Sequence, residues 1–306
     1  MSSLSIRLSD ALSGISGILI TPFDTSDKIQ PQRLRPVVNR AIEAGIHVLT
    51  ANGNTGEFYS LTTAEAQAMV HEAAELIADR VPVLAGVGRS LHDAIALART
   101  SREAGASALM IHQPPDPFCA PRGVVDYVRR IADAAHGLPI VLYLRNDNIG
   151  LEAIESLCRL QEVVGVKWAS PTPLKLAEAI RSCDERIVWI GGLAETWAPA
   201  LTAVGARGFT SGLINVWPEH SMAIHAALAT GNYNEANRLI AIVSAFEELR
   251  AQEGNGANVS IVKAALQLIG DDCGHVRAPG SWPLSPQQRS TLSDQLRLWG
   301  LIRKPG

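Results

Sequence analysis

The chain has 306 residues, 47% of them hydrophobic, with a formal net charge of −3 and acids and bases mixed throughout. That is enough for one large core, and it excludes the basic block or basic–aromatic stripe of a nucleic-acid binder. No apolar run reaches the ~18 residues that cross a membrane. The opening MSSLSIRLSDALSG lacks the basic-then-apolar pattern of a secretory signal. Cys119, Cys158, Cys183 and Cys273 form no C-x-x-C pair, so reduced thiols in a cytoplasmic protein are expected.

Short apolar runs alternate with longer amphipathic ones. Gly14–Ile20 precedes a helix pattern over Pro31–Ala44, and His47–Thr50 precedes Thr63–Asp79. Val81–Gly86 precedes Ser90–Glu103, and Ser107–Ile111 precedes Arg122–Ala135. Pro139–Tyr143 precedes Leu151–Leu160, and Val163–Lys167 precedes Pro171–Arg181. Arg186–Ile190 precedes Glu195–Val204, and Gly208–Thr210 precedes Pro218–Thr230. Strands that are apolar without alternation are buried on both faces, as in a parallel sheet covered by helices. About eight such units predict a closed (β/α)₈ TIM barrel over residues 1–231, with a doubly wound sheet as the alternative. Beyond Gly231 the strands stop. Asn234–Ala251, Asn258–Ile269 and Ser285–Trp299 read as helices, and Asp271–Leu284 reads as a loop. Residues 232–306 are therefore expected to be a C-terminal helical extension packed on the barrel.

In such a barrel, chemistry sits at the carboxyl ends of the strands. Only five lysines occur, and Lys167 alone closes an apolar strand, after Val163, Val164, Gly165 and Val166. Burial disfavours the ammonium form, and a neutral amine is the nucleophile that makes an imine with a ketone. The competing reading is a lysine that only pairs with a carboxylate. Tyr143 ends the neighbouring strand, about 4.8 Å away, where its phenol could carry protons or simply fill the rim. Gly53–Glu57 forms a glycine-rich turn whose N–H groups could hold a carboxylate. Thr55 offers a relay hydroxyl to Tyr143, and Glu57 is expected to brace the loop. Arg145 could bind a second substrate carboxylate or form a surface salt bridge. His112 is expected to be simply hydrogen-bonded. Gly192 and Thr210 complete the ring of strand ends. The histidines show no H-x-x-x-H or H-E-x-x-H spacing, so no metal is expected.

Gly53–Glu57, the strand ending at Tyr143 and Val-Gly-Val-Lys167, in this order, resemble the dihydrodipicolinate synthase/N-acetylneuraminate lyase family. The resemblance runs from Gly17–Phe23 to the helical tail. It implies a (β/α)₈ barrel, a homotetramer, and a lysine–pyruvate imine or its equivalent, with no cofactor beyond that covalent lysine imine. By position it makes Lys167 the imine lysine, Tyr143 the proton-transfer tyrosine and Thr55 the relay. Asn54 and Thr55 would bind the carboxylate of a 2-oxo acid substrate. Dihydrodipicolinate synthases carry a tyrosine pair after strand four, where this chain has His112-Gln113-Pro114-Pro115-Asp116. They also carry an arginine where the count here gives Asn148. The run from Gly53 to Thr62, the segment Tyr143–Asn148, Ile190–Gly192 and Ser211–Asn215 are instead similar to 5-dehydro-4-deoxyglucarate dehydratases. Asn148 is accordingly a substrate-binding candidate. The resemblance implies a lyase acting on a 2-oxo acid, a dehydratase or aldolase of a keto-deoxy sugar acid ahead of pyruvate–aldehyde condensation; a barrel that binds a 2-oxo acid without turnover is the alternative of another class.

Overall fold

The structure, a computed structural model, describes residues 3–302, with side chains from Leu8 onward. The outermost residues of the expected 1–231 and 232–306 segments lie outside the described residues. Eight strands close into one parallel barrel in sequence order. They are β1 (Ile15–Ile18), β2 (Val48–Ala51), β3 (Val83–Val87), β4 (Ala108–His112), β5 (Ile140–Leu144), β6 (Val163–Trp168), β7 (Val188–Gly191) and β8 (Gly208–Ser211). The doubly wound alternative is excluded, because β8 pairs back to β1.

Helices alternate with the strands: α2 (Arg35–Glu43), α3 (Thr63–Ile77), α4 (Leu91–Glu103), α5 (Pro121–Ala135), α6 (Leu151–Cys158), α7 (Pro173–Ser182), α8 (Ala194–Ala203) and α9 (Pro218–Ala229). Local chemistry sets their ends. Thr62 and Glu65 form a reciprocal capping box at the start of α3. Gly205 takes a φ of +116° just past α8, where a side chain would be strained. The helix expected from Pro31 opens instead as a 3₁₀ turn over Pro31–Leu34.

One element was not expected. Helix α1 (Ser3–Leu12) precedes the first strand. Its Leu8 and Leu12 pack with Val48, Leu84, Ala108, Met110, Val141 and Val188 inside the barrel. They plug its amino-terminal end and leave the opposite end for the site. Outward-facing residues such as Leu49, Leu109, Val166 and Trp189 pack against the helices in the larger core.

Three further helices follow: α10 (Tyr233–Ala251), α11 (Asn258–Ile269) and α12 (Pro286–Leu298). Ser285 caps α12 in a second capping box. Arg40 of α2 pairs with Asp271 at 2.7 Å, and Arg277 pairs with Glu65 at 2.7 Å and Asp27 at 2.9 Å. The tail is thus fixed against the barrel by charged contacts. Among the described residues, no helix is long and apolar enough to cross a membrane.

Candidate active site

A register irregularity sets the site. Ile140 pairs with Val163, but Val141 pairs with Gly165, so β6 carries one extra residue. A bulge of this kind re-aims the side chains beyond it. Here it brings Lys167 level with Tyr143, and His112 and Ile190 stand at the same level on the flanking strands. The Lys167 Nζ lies 3.9 Å from the centroid of the Tyr143 ring.

Lys167 is 4% exposed. Loss of hydration, with the positive charge of Arg145 adding to it, lowers its amine to about 7. Among the described residues no carboxylate pairs with it, so the carboxylate-bound reading of this lysine does not hold. A second buried lysine makes the contrast. Lys263, on α11, is fully buried, lies 2.5 Å from Glu57 Oε1 and donates to His275 O at 2.6 Å. Glu57 also accepts from the Arg277 N–H at 2.9 Å. It therefore ties the loop after β2 to the tail.

Burial pushes the Tyr143 phenol up to about 12, so it holds its proton through the neutral range. Its hydroxyl accepts from Asn54 Nδ2 at 3.0 Å. The neighbour expected there was Thr55, which lines the same cavity but is not the residue bonded to Tyr143. Asn54 Oδ1 is buried without a partner. The turn consumes part of its own donor set. Gly56 N–H and Phe58 N–H donate to Gly53 O, and Glu57 N–H donates to Asn54 O. The N–H groups of Asn54 and Thr55 are not spent this way. Gly53 stands behind the turn rather than on the cavity wall; a Cβ there would lie 2.4 Å from Ile18 Cγ2.

Asn54, Thr55, Tyr143, Arg145, Lys167, Gly192 and Thr210 line one cavity of about 790 Å³. Gly192 allows β6 and β7 to converge, since a Cβ would lie 2.7 Å from that of Ala169. Arg145 is exposed and pairs with no carboxylate among the described residues; its guanidinium sits 5.4 Å from the Tyr59 ring centroid. Asn148 is not brought to this cavity. It is exposed, and its N–H donates to Asn146 Oδ1 at 3.1 Å.

The Dihydrodipicolinate synthetase family profile matches residues 11–298. The chain belongs to the dihydrodipicolinate synthetase family. Within it, a probable 5-dehydro-4-deoxyglucarate dehydratase from Streptomyces coelicolor is 36% identical over 85% of this chain and 84% of its own. A 5-dehydro-4-deoxyglucarate dehydratase from Pseudomonas putida is 29% identical over 87% of this chain and 89% of its own. Among solved structures, dihydrodipicolinate synthase from Oceanobacillus iheyensis matches with a TM-score of 0.92 at 37% identity, over 97% of this chain and 100% of that one. Family and relatives together make this protein a lyase acting on a small-molecule substrate.

His112 is hydrogen-bonded, as expected of it: its Nε2 lies 2.9 Å from Asn52 O. A carbonyl only accepts, so Nε2 holds the proton and Nδ1, which has no partner, is an acceptor. Burial lowers this imidazole to about 3, so it stays neutral while stacking on Phe58 at 4.4 Å. The tail's share of the cavity wall escaped sequence reasoning: Glu247, Arg250, Asn258 and Arg277 all line it. The described residues also contain one cluster with metal-ligand spacing, His71, Glu72 and Glu75, but it lies on α3 and outside the cavity.

Proposed function

We infer that the protein is a Schiff-base lyase of 2-oxo acids, acting as a dehydratase or aldolase on a keto-deoxy sugar acid such as 5-dehydro-4-deoxyglucarate. The observation that carries this is Lys167: a buried amine lowered to about 7, without a counterion among the described residues, beside a protonated tyrosine in a cavity. The amine adds to the C2 carbonyl and water leaves, giving a protonated imine that acidifies C3. Loss of the C3 proton gives an enamine, whose electron pair expels the protonated C4 hydroxyl as water. If the C4 hydroxyl loses its proton instead, the C3–C4 bond breaks and an aldehyde leaves. Tyr143 is the proton carrier within reach of these steps. The unspent N–H groups of Asn54 and Thr55 take the carboxylate, and Arg145 faces a second one. The dehydratase names of the relatives support the sugar-acid substrate. We carry the homotetramer with this reading, to be checked by sedimentation.

Borohydride trapping with pyruvate and with keto-deoxy sugar acids, followed by peptide mapping, tests the mechanism. An adduct on Lys167 is expected, and folded protein that yields none with any 2-oxo acid would refute it. The second reading is condensation of pyruvate with aspartate semialdehyde, favoured by the name of the structure at 37% identity. The absence of tyrosine from 112–116 and the Asn148 position weigh against it, and turnover with that aldehyde decides it.

A further inference from the structure

The cavity has a second polar wall, built by the tail rather than by the barrel. Arg250 ends α10 and is 6% exposed as a residue. Its Nη1 donates to Glu247 Oε1 at 2.6 Å, and its Nε donates to Asn258 Oδ1 at 2.9 Å. These bonds fix what each group has left. Arg250 Nη2 keeps two donors, Asn258 Nδ2 keeps two more, and Glu247 Oε2 remains an acceptor. Among the described residues none of these three atoms has a hydrogen-bond partner, and none is among the sealed, unsatisfied atoms of the interior. All three residues line the cavity that holds Lys167. Their free atoms are therefore not sealed in the interior.

The arrangement is also cleared by the barrel. A Cβ on Gly212 would fall 2.4 Å from Arg250 Nη2. Gly212 stands four residues above Gly208, which pairs with Ile190 at the level of Lys167. By strand rise that places Gly212 about 13 Å further along the strand direction than the register level of Lys167.

The charge of Arg250 is already answered by Glu247, so this wall suits a neutral polar group better than a second carboxylate. A hydroxyl both donates and accepts. It can take a hydrogen bond from Arg250 or Asn258 and give one to Glu247, which no ketone, methyl group or carboxylate does. We propose that Glu247, Arg250 and Asn258 form a seat for the vicinal hydroxyl groups of the substrate chain, so that the tail selects sugar acids over simple 2-oxo acids. This rests on Lys167 as the imine lysine, and it leaves the distal carboxylate to Arg145.

The test reads binding without turnover. In a Lys167→Met background, calorimetry gives the Kd for 5-dehydro-4-deoxyglucarate and for pyruvate. Each is then repeated with Asn258→Ala and, separately, with Gly212→Ala, which disturbs only the far end of Arg250. Disturbing the charged donor in Gly212→Ala should lower the preference for the sugar acid roughly tenfold or more, and losing the neutral amide in Asn258→Ala should lower it roughly threefold or more. A merely structural role for the cluster would weaken both ligands alike and leave the ratio in place, which overturns the proposal. If one variant does not fold, the ratio in the other decides. Borohydride trapping on the parent protein is read separately. A missing Lys167 adduct there strikes the imine reading, whereas an unmoved ratio strikes only the hydroxyl seat.

Discussion

Glu57 and Lys263 form a buried ion pair, 2.5 Å apart, between the loop after β2 and helix α11. Burial pushes the Glu57 carboxyl up and the Lys263 amine down, because lost hydration outweighs the attraction across the pair. Removing one partner strands the other charge. Glu57→Gln and Lys263→Met should each cost about 3–5 kcal/mol in urea unfolding. The double variant should cost less than the sum of the two. Additive losses would show that the pair is not coupled.

Lys167 makes the opposite prediction. Its amine falls from the ordinary 10.5 to about 7, so the unfolded chain holds a proton that the folded one gives up between these values. The burial penalty is therefore full below pH 7 and fades as pH rises toward 10.5, at about 1.4 kcal/mol per pH unit. Lys167→Met should abolish adduct formation and raise the unfolding midpoint at pH 6, with the gain vanishing near pH 10.5. A midpoint lowered at pH 6 would contradict this account of the site.

The same amine sets the pH dependence of trapping. Attack needs the neutral form, so the trapping rate should fall about tenfold per unit below pH 7. Tyr143, held up to about 12, should give no basic limb below that value. Arg145→Ala removes a positive neighbour and should move the acid limb upward. A limb that stays put would assign the shift to burial alone.

Tyr143→Phe should slow turnover by roughly 10²–10⁴-fold. Asn54→Ala, which removes the hydrogen bond to the phenol, should also lower kcat. If Thr55→Val lowers kcat more than Asn54→Ala does, the relay runs through Thr55 in the complex, whatever the hydrogen bond in the free protein.

The barrel was legible because parallel strands buried on both faces leave uninterrupted apolar runs, and Lys167 stood out as the one charge ending such a run. The bulge that phases it with Tyr143 was not legible, since Val163-Val164-Gly165-Val166 reads the same in either register. Helix α1 lies in the stretch MSSLSIRLSDALSG, whose Leu8, Ala11 and Leu12 reach the core but whose serines and charged residues interrupt any apolar run. Counting along the chain from Tyr143 suggested Asn148, but the loop turns away after Arg145 and leaves it in solvent. Arg250 and Asn258 escaped because their relation to the barrel mouth is a long-range packing fact, with no local period to reveal it.

Among the described residues, Leu8 and Leu12 give the barrel a floor, so the cavity around Lys167 is reached from the opposite end. What leaves Lys167 then passes the same tail residues that line the way in. Entry and exit are then controlled by one threshold, so product lingering there blocks the next substrate. Loosening the tail should speed departure and weaken capture together.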